Sequence, residues 1–124
     1  MANTPDGSER RRSPRLDLSV PLELIVKETQ QTLGGTTVNL SMTGLYAMLE
    51  APIRDFDTVE ITLSLPVTMP EGEQETFSIT MPAVTVRVES TGDRIAAAFM
   101  FQGLPVETEW VIGKHILENF QQLR

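Results

Sequence analysis

Apolar and polar residues alternate along most of the chain, which is the pattern of β-strands that bury one face. The clearest example is residues 59–65, where Val, Ile and Leu alternate with Glu, Thr and Ser. Similar alternation predicts five further strands, at residues 20–26, 36–38, 45–49, 77–88 and 95–101. In the fifth strand the pattern is interrupted at Pro82 and then resumes with a buried face of Val84, Val86 and Val88.

Glycine and proline mark the connections between these strands. Gly34-Gly35 predicts a hairpin turn before the second strand, and residues 66–72 predict a connection that ends the fourth. Residues 90–93 predict the turn before the last strand. Six short strands at hairpin spacing predict an antiparallel barrel or sandwich, because closing a sheet removes its exposed edges.

The last segment has the apolar period of a helix, which we expect from about residue 107 to residue 123. Its apolar stripe is broad, which predicts that the helix packs on the barrel, or partly on another chain. The stripe comprises Val106, Trp110, Val111, Ile112, Ile116, Leu117 and Phe120. We expect Trp110 to anchor the helix on the barrel. His115 is expected to be a surface or boundary residue rather than a base.

The composition fits one domain and excludes several kinds of site. A chain of 124 residues with 40% hydrophobic content can bury one compact core. It has no cysteine and one histidine, so neither a disulfide, a thiolate metal site, a cysteine nucleophile nor a zinc centre is expected. No stretch approaches the roughly 18 apolar residues that a membrane span needs. We therefore expect a metal-free cytoplasmic protein.

The formal net charge of −7 argues against a general nucleic-acid binder, because such proteins carry a basic surface that displaces counterions from phosphates. Within this acidic chain, however, positive charge is concentrated at one point, where Arg10, Arg11, Arg12 and Arg15 lie within six positions. We predict that these residues form a local anion-binding site. Residues 1–8 are small, polar or turn-forming and predict a flexible N-terminal arm.

Arg11 and Arg15 form an Arg-x-x-x-Arg pair that suits a nucleotide. The planar guanidinium makes two parallel charged hydrogen bonds to a phosphate, and the same geometry matches the O6 and N7 acceptors of guanine. The alternative is a solvated basic tail, or a segment that pairs with acidic neighbours.

A second group of polar residues, Asn39, Ser41 and Gly44, lies between two predicted strands. Asn and Ser can bond a base edge, and Gly permits a close backbone approach. The alternative is an ordinary hairpin turn, since these residue types favour turns for local reasons.

In this order and at this distance, the two groups resemble the signature of the PilZ family of cyclic di-GMP receptors, Arg-x-x-x-Arg followed by [Asp/Asn]-x-Ser-x-x-Gly. Both halves match in full, and the likeness extends over roughly residues 9–120. It implies a six-stranded antiparallel β-barrel with a flanking C-terminal helix. A single domain at residues 9–124 would then consist of an arginine switch segment at 9–15, a barrel at 16–102 and a helix at 105–124.

The resemblance also implies the ligand and its contacts. Cyclic di-GMP would lie between the arginine segment and the barrel face, and its binding would order that segment. Arg11 and Arg15 would contact phosphates and guanine, while Asn39, Ser41 and Gly44 would meet the guanine edge and the ribose-phosphate.

Four other residues extend this expectation. In similar proteins a basic residue at the position of Arg10 goes with two intercalated ligands per domain, so two per chain are expected, with Arg12 as a reserve cation. Arg87 is either solvent-exposed or a supplementary phosphate contact. Ala98 stands before Phe99, where the family often has a glycine.

Two other functions compete with this one. A protein-interaction adaptor of the same fold would need no nucleotide, although adaptors of this kind lose the motifs that this chain retains. An enzyme acting on nucleotides is disfavoured, because no carboxylate pair has metal-ligand spacing and no histidine lies near either motif. For a receptor we expect a downstream protein partner, whose identity the sequence does not give.

Overall fold

The computed structural model describes residues 15–122, with side chains as far as residue 119. The chain forms six strands and one helix. In chain order these are β1 (Leu16–Val26), β2 (Thr32–Leu40), β3 (Gly44–Leu49), β4 (Thr58–Thr68), β5 (Gln74–Thr91), β6 (Arg94–Phe101) and α1 (Val106–Gln122).

The six strands close into a barrel with the order β1-β2-β3-β6-β5-β4, and all neighbours are antiparallel. Closure occurs where β1 pairs with β4 as well as with β2. Every strand of this barrel thus pairs with a neighbour on each side, so no strand is an edge strand. The predicted six-stranded antiparallel barrel with a C-terminal helix is confirmed.

The interior of the barrel is filled by the inward-facing residue of each alternating pair. Fully buried side chains come from β1, β4 and β5 alike, and examples are Leu24, Ile61, Leu65 and Met81. The alternation that identified the strands in the sequence is therefore the alternation between core and solvent.

The predicted turn at Gly34-Gly35 is wrong, because both glycines lie inside β2, opposite Leu22 and Glu23 of β1. The chain reverses instead at residues 27–31, where Gln30 has a positive φ. A Cβ at Gly35 would overlap the carbonyl oxygen of Met48 on β3. The glycine allows two strands to approach closely rather than forming a turn.

Both prolines that were expected to interrupt strands lie within them. β4 continues through Pro66 to Thr68, and β5 runs unbroken through Pro82. A proline lacks only the amide donor and keeps its carbonyl acceptor. The carbonyl of Pro82 accepts from the backbone amide of Gln102, at 2.8 Å.

The predicted buried face of Val84, Val86 and Val88 is wrong for Val84 and Val86, whereas Val88 packs against the core. Inward positions on β5 continue through Ala83 to Thr85, and Val86 is 42% exposed. Val84 faces outward because the alternation passes through Pro82 unchanged. A β-bulge between Thr85 and Arg87 then inserts Val86 as an extra residue and turns Val88 towards the core.

Helix α1 packs mainly against β4 and β5 through Val111, Ile112 and Ile116. His115 lies on the same face and is 6% exposed, so it is buried and not the surface or boundary residue that was expected. Its Nδ1 lies 2.9 Å from the carbonyl oxygen of Pro66, to which it must donate, since a carbonyl only accepts. The imidazole thereby joins the helix to the end of β4.

Trp110 anchors the helix in part. Its indole packs edge-on against Phe77 of β5, with ring centroids 5.8 Å apart, yet the side chain remains 44% exposed. Between residues 15 and 122, the structure has no helix that combines the length and the apolar character required to cross a membrane.

Candidate functional site

The two sequence motifs meet at a hydrogen bond between Arg15 and Asn39. Arg15 directly precedes β1, and Asn39 is the penultimate residue of β2. Because β1 and β2 are antiparallel neighbours, the start of one lies beside the end of the other. Nη1 of Arg15 donates to Oδ1 of Asn39 at 3.1 Å. One arginine and the amide of the second motif thus belong to the same site.

Ser41 begins a tight turn between β2 and β3. Its hydroxyl accepts from the backbone amides of Thr43, at 3.1 Å, and Gly44, at 3.2 Å. Its own amide donates to the carbonyl oxygen of Gly44 at 2.9 Å. The side chain is only 2% exposed. Ser41 therefore fixes the turn, and its predicted contact with a ligand stays a prediction.

Gly44 brings β3 into close contact with β6. A Cβ at this position would overlap the carbonyl oxygen of Phe99, an atom of the neighbouring backbone that cannot rotate away. The motif therefore requires glycine for packing, whatever its backbone does for a ligand.

The outer face of the barrel carries a row of cross-strand partners that runs through five strands. In order across β1, β2, β3, β6 and β5, the row comprises Asp17, Asn39, Tyr46, Ala98 and Arg87. Each of the pairings β1–β2, β2–β3 and β5–β6 has a register shift directly beside it. The structure thus brings three predicted site residues, Asn39, Ala98 and Arg87, onto one surface.

Tyr46 and Glu89 join this surface and were missed by the sequence analysis. Glu89 accepts from the Tyr46 hydroxyl, at 2.7 Å, and from Nε of Arg87, at 2.8 Å. The alternation of β3 does place Tyr46 on the outer face, which was the available signal. For Glu89 the available signal was its i, i+2 spacing from Arg87, whereas its other partner, Tyr46, lies 43 residues away.

The three groups shift one another's protonation in the directions expected of a hydrogen-bonded network. The bond from Tyr46 to Glu89 raises the pKa of the tyrosine, with burial as a second cause. The pKa of Glu89 is lowered mainly by the hydrogen bond that it accepts from Arg87, and next by the one from Tyr46. The pKa of Arg87 is raised mainly by its bond to the same carboxylate. At neutral pH the network therefore contains an ionised carboxylate between a neutral phenol and a guanidinium.

The remaining predicted residues, Arg10, Arg11 and Arg12, lie outside the described residues, as do the N-terminal arm at 1–8 and the switch segment up to residue 14. Within the described part of the chain, no cluster of three or more His, Asp or Glu side chains is arranged to hold a metal ion.

A family model described as the PilZ domain matches residues 9–118. The chain belongs to the PilZ domain family. The match includes both motifs and the whole barrel. Among curated protein sequences, none matches the chain significantly.

Solved structures agree with this PilZ fold. The PilZ domain of YcgR from Escherichia coli, solved with c-di-GMP, has a TM-score of 0.67 at 16% identity, covering 93% of this chain and 95% of that one. The Bacillus subtilis inhibitor of motility MotI/DgrA has a TM-score of 0.72 at 16% identity, covering 93% of this chain. This PilZ domain spans 54% of that protein's length.

Replacing Gly44 by alanine should destabilise the domain, because the new methyl group meets the Phe99 carbonyl. We expect Gly44→Ala to lower the free energy of unfolding by about 1–3 kcal/mol or more, measured by urea denaturation. Gly113→Ala is the matched control, since its Cβ would lie 3.7 Å from Met42 Sδ, an ordinary contact. Within a helix that change should stabilise by about 0.5–1 kcal/mol. Equal stability of the two variants would contradict the close β3–β6 contact.

Tyr46 is the chain's single tyrosine, so phenolate absorbance reports on it alone. We expect its titration midpoint to lie above that of an ordinary tyrosine and to fall back in Glu89→Gln, because the hydroxyl donates to Glu89. With the folded pKa raised, the bond stabilises the fold below the ordinary tyrosine pKa, and this contribution is lost as pH rises through the raised value. Glu75→Gln, on the far part of β5, should leave the midpoint unchanged. A midpoint that is the same with and without Glu89 would show that the bond does not form in solution.

Proposed function

We propose that this PilZ domain is a bacterial receptor for cyclic di-GMP, which binds between the N-terminal arginine segment and the outer face of the barrel. The observation that carries the proposal is the bond between Arg15 and Asn39, since it joins the two halves of the signature at one surface. A guanidinium and an amide offer donors to phosphate and to the acceptor edge of guanine.

The proposed contacts follow from this surface. Arg11 and Arg15 bind phosphates and guanine, and Asn39 binds the guanine edge. Gly44 meets the ligand through its backbone, because the Phe99 carbonyl oxygen occupies the place of a side chain, and Ala98 is an accessory position opposite Tyr46. Arg87 supplies a further phosphate contact, for which its Nη atoms remain available beside the Nε bond to Glu89.

The N-terminal segment provides the signal in this proposal. Arginines at positions 10, 11, 12 and 15 repel one another until phosphate groups neutralise them. Ligand binding would order residues 9–15 on the barrel and change the surface that a downstream protein meets. The similarity to PilZ domains solved with c-di-GMP supports the receptor role.

Calorimetric titration with cyclic di-GMP tests the receptor directly. We expect saturable binding to the unmodified protein and a loss of about 2–5 kcal/mol in Arg15→Ala, because a charged hydrogen-bonded contact is removed. Arg54→Ala removes the same charge near the opposite end of β1, where Arg54 pairs with Glu28 and Asp57, and should bind normally. If the titration shows no binding of cyclic di-GMP, the protein-interaction adaptor is the supported function. Unchanged affinity in Arg15→Ala would remove Arg15 from the site.

The titration also gives the stoichiometry, for which we propose two ligands per chain. Two stacked dinucleotides bring four phosphates together, and Arg10 supplies a cation for that charge density, with Arg12 in reserve. Arg10→Leu should therefore lower the ratio from about two towards one. A one-to-one ratio in the unmodified protein would refute this role of Arg10 and leave the receptor in place.

A further inference from the structure

The side chain of Tyr46 lies across strand β6. Tyr46 is on β3 and Glu89 is on β5, and both strands are neighbours of β6. Their partners on β6 are Ala98 and Ala96, respectively. A bond of 2.7 Å from the Tyr46 hydroxyl to Glu89 therefore requires the phenol ring to span β6 above these two alanines. The small methyl groups leave the space in which the ring lies.

A groove of about 180 Å³ borders this ring on the outer face of the barrel. It is smaller than the about 300–1,000 Å³ of sites for whole drug-sized ligands, so its size suits one ring system and not an entire dinucleotide. Its walls combine an aromatic ring, two apolar side chains, a carboxylate, a hydroxyl and a guanidinium, from Tyr46, Met48, Ala96, Glu89, Thr91 and Arg94.

The two charged groups of the groove differ in how many hydrogen bonds their side chains already form. Glu89 accepts one bond at each oxygen, from Tyr46 and from Arg87, which leaves about two of its four lone-pair sites. The guanidinium of Arg94 forms no hydrogen bond or ion pair with any other residue in the range 15–122, although the Arg94 backbone pairs with Thr91 of β5. The groove therefore offers a carboxylate acceptor and a guanidinium whose donors are not used.

We infer that this groove receives one guanine base of cyclic di-GMP, an inference that rests on the proposed receptor function. Guanine carries the N1–H and N2–H₂ donors on one edge and the O6 and N7 acceptors on another. A carboxylate complements the donors, and an arginine binds O6 and N7 with two parallel bonds. Adenine presents an acceptor at N1, which a carboxylate repels. Glu89 and Arg94 thus select guanine, and the Tyr46 ring provides the surface on which the base stacks.

Another surface groove fits this ligand less well despite its larger volume of about 430 Å³. It lies between β1 and β4, and its one charged wall residue is Glu23, beside Pro21, Leu22 and Leu63. A carboxylate without a cation repels a phosphodiester. The groove beside Tyr46 also adjoins the row that contains Asn39 and Arg87, whereas the larger one does not.

Titration of four variants with cyclic di-GMP and cyclic di-AMP tests the guanine groove. Arg94→Gln should weaken cyclic di-GMP binding by about 5- to 150-fold, the range for a bidentate contact to guanine. Tyr46→Leu should weaken it by a similar factor through lost stacking, and Tyr46→Phe should restore most of the affinity because the ring remains. Glu89→Gln should lower the preference for cyclic di-GMP over cyclic di-AMP by about 5- to 150-fold.

Lys27→Gln is the matched control for Arg94→Gln, since it removes one positive charge beside β1 and β4, across the barrel from β6, where Lys27 pairs with Glu60. Unfolding midpoints without ligand show whether any variant has lost its fold. Unmodified affinity in Arg94→Gln, or equal losses in Tyr46→Leu and Tyr46→Phe, would overturn the guanine groove while the receptor stands. Absence of cyclic di-GMP binding to the unmodified protein would overturn both.

Discussion

The backbone contact between Gly44 and Phe99 is the constraint on which the candidate site depends. With no Cβ between them, β3 lies against β6 at a distance that any other residue would prevent. This contact sets the register in which Tyr46 faces Ala98, and through Ala98 the row reaches Arg87. The turn fixed by Ser41 delivers Gly44 to that position. Strand packing alone therefore assembles the candidate site.

This arrangement gives the second motif two roles. Ser41 and Gly44 shape the turn and the strand contact, whereas Asn39 faces outward and bonds Arg15. The same turn also reaches the helix, because Met42 lies beside Gly113, where a Cβ would be 3.7 Å from its sulfur. The turn of the second motif therefore lies against α1 as well as joining β2 to β3.

The sequence predicted most of the fold because alternation is a local record of which face is buried. It failed where local preference and tertiary packing disagree. Gly34-Gly35 has the composition of a turn, yet the close approach of β3 places it within a strand. The bulge at Val86 reverses the faces of β5, which no period of two can express. His115 is buried because the carbonyl of Pro66 satisfies it, a partner that lies 49 residues away.

The candidate site was predictable to the extent that its residues form a motif. Asn39, Ser41 and Gly44 are close in sequence, and Arg15 is recognisable by its spacing from Arg11. Tyr46 and Glu89 lie 43 residues apart and become neighbours only because β6 separates their strands. Their contact also depends on what β6 presents between them. Larger side chains in place of Ala96 and Ala98 would occupy the path of the phenol ring. The small side chains on the outer face of β6 are therefore what allows Tyr46 to reach Glu89.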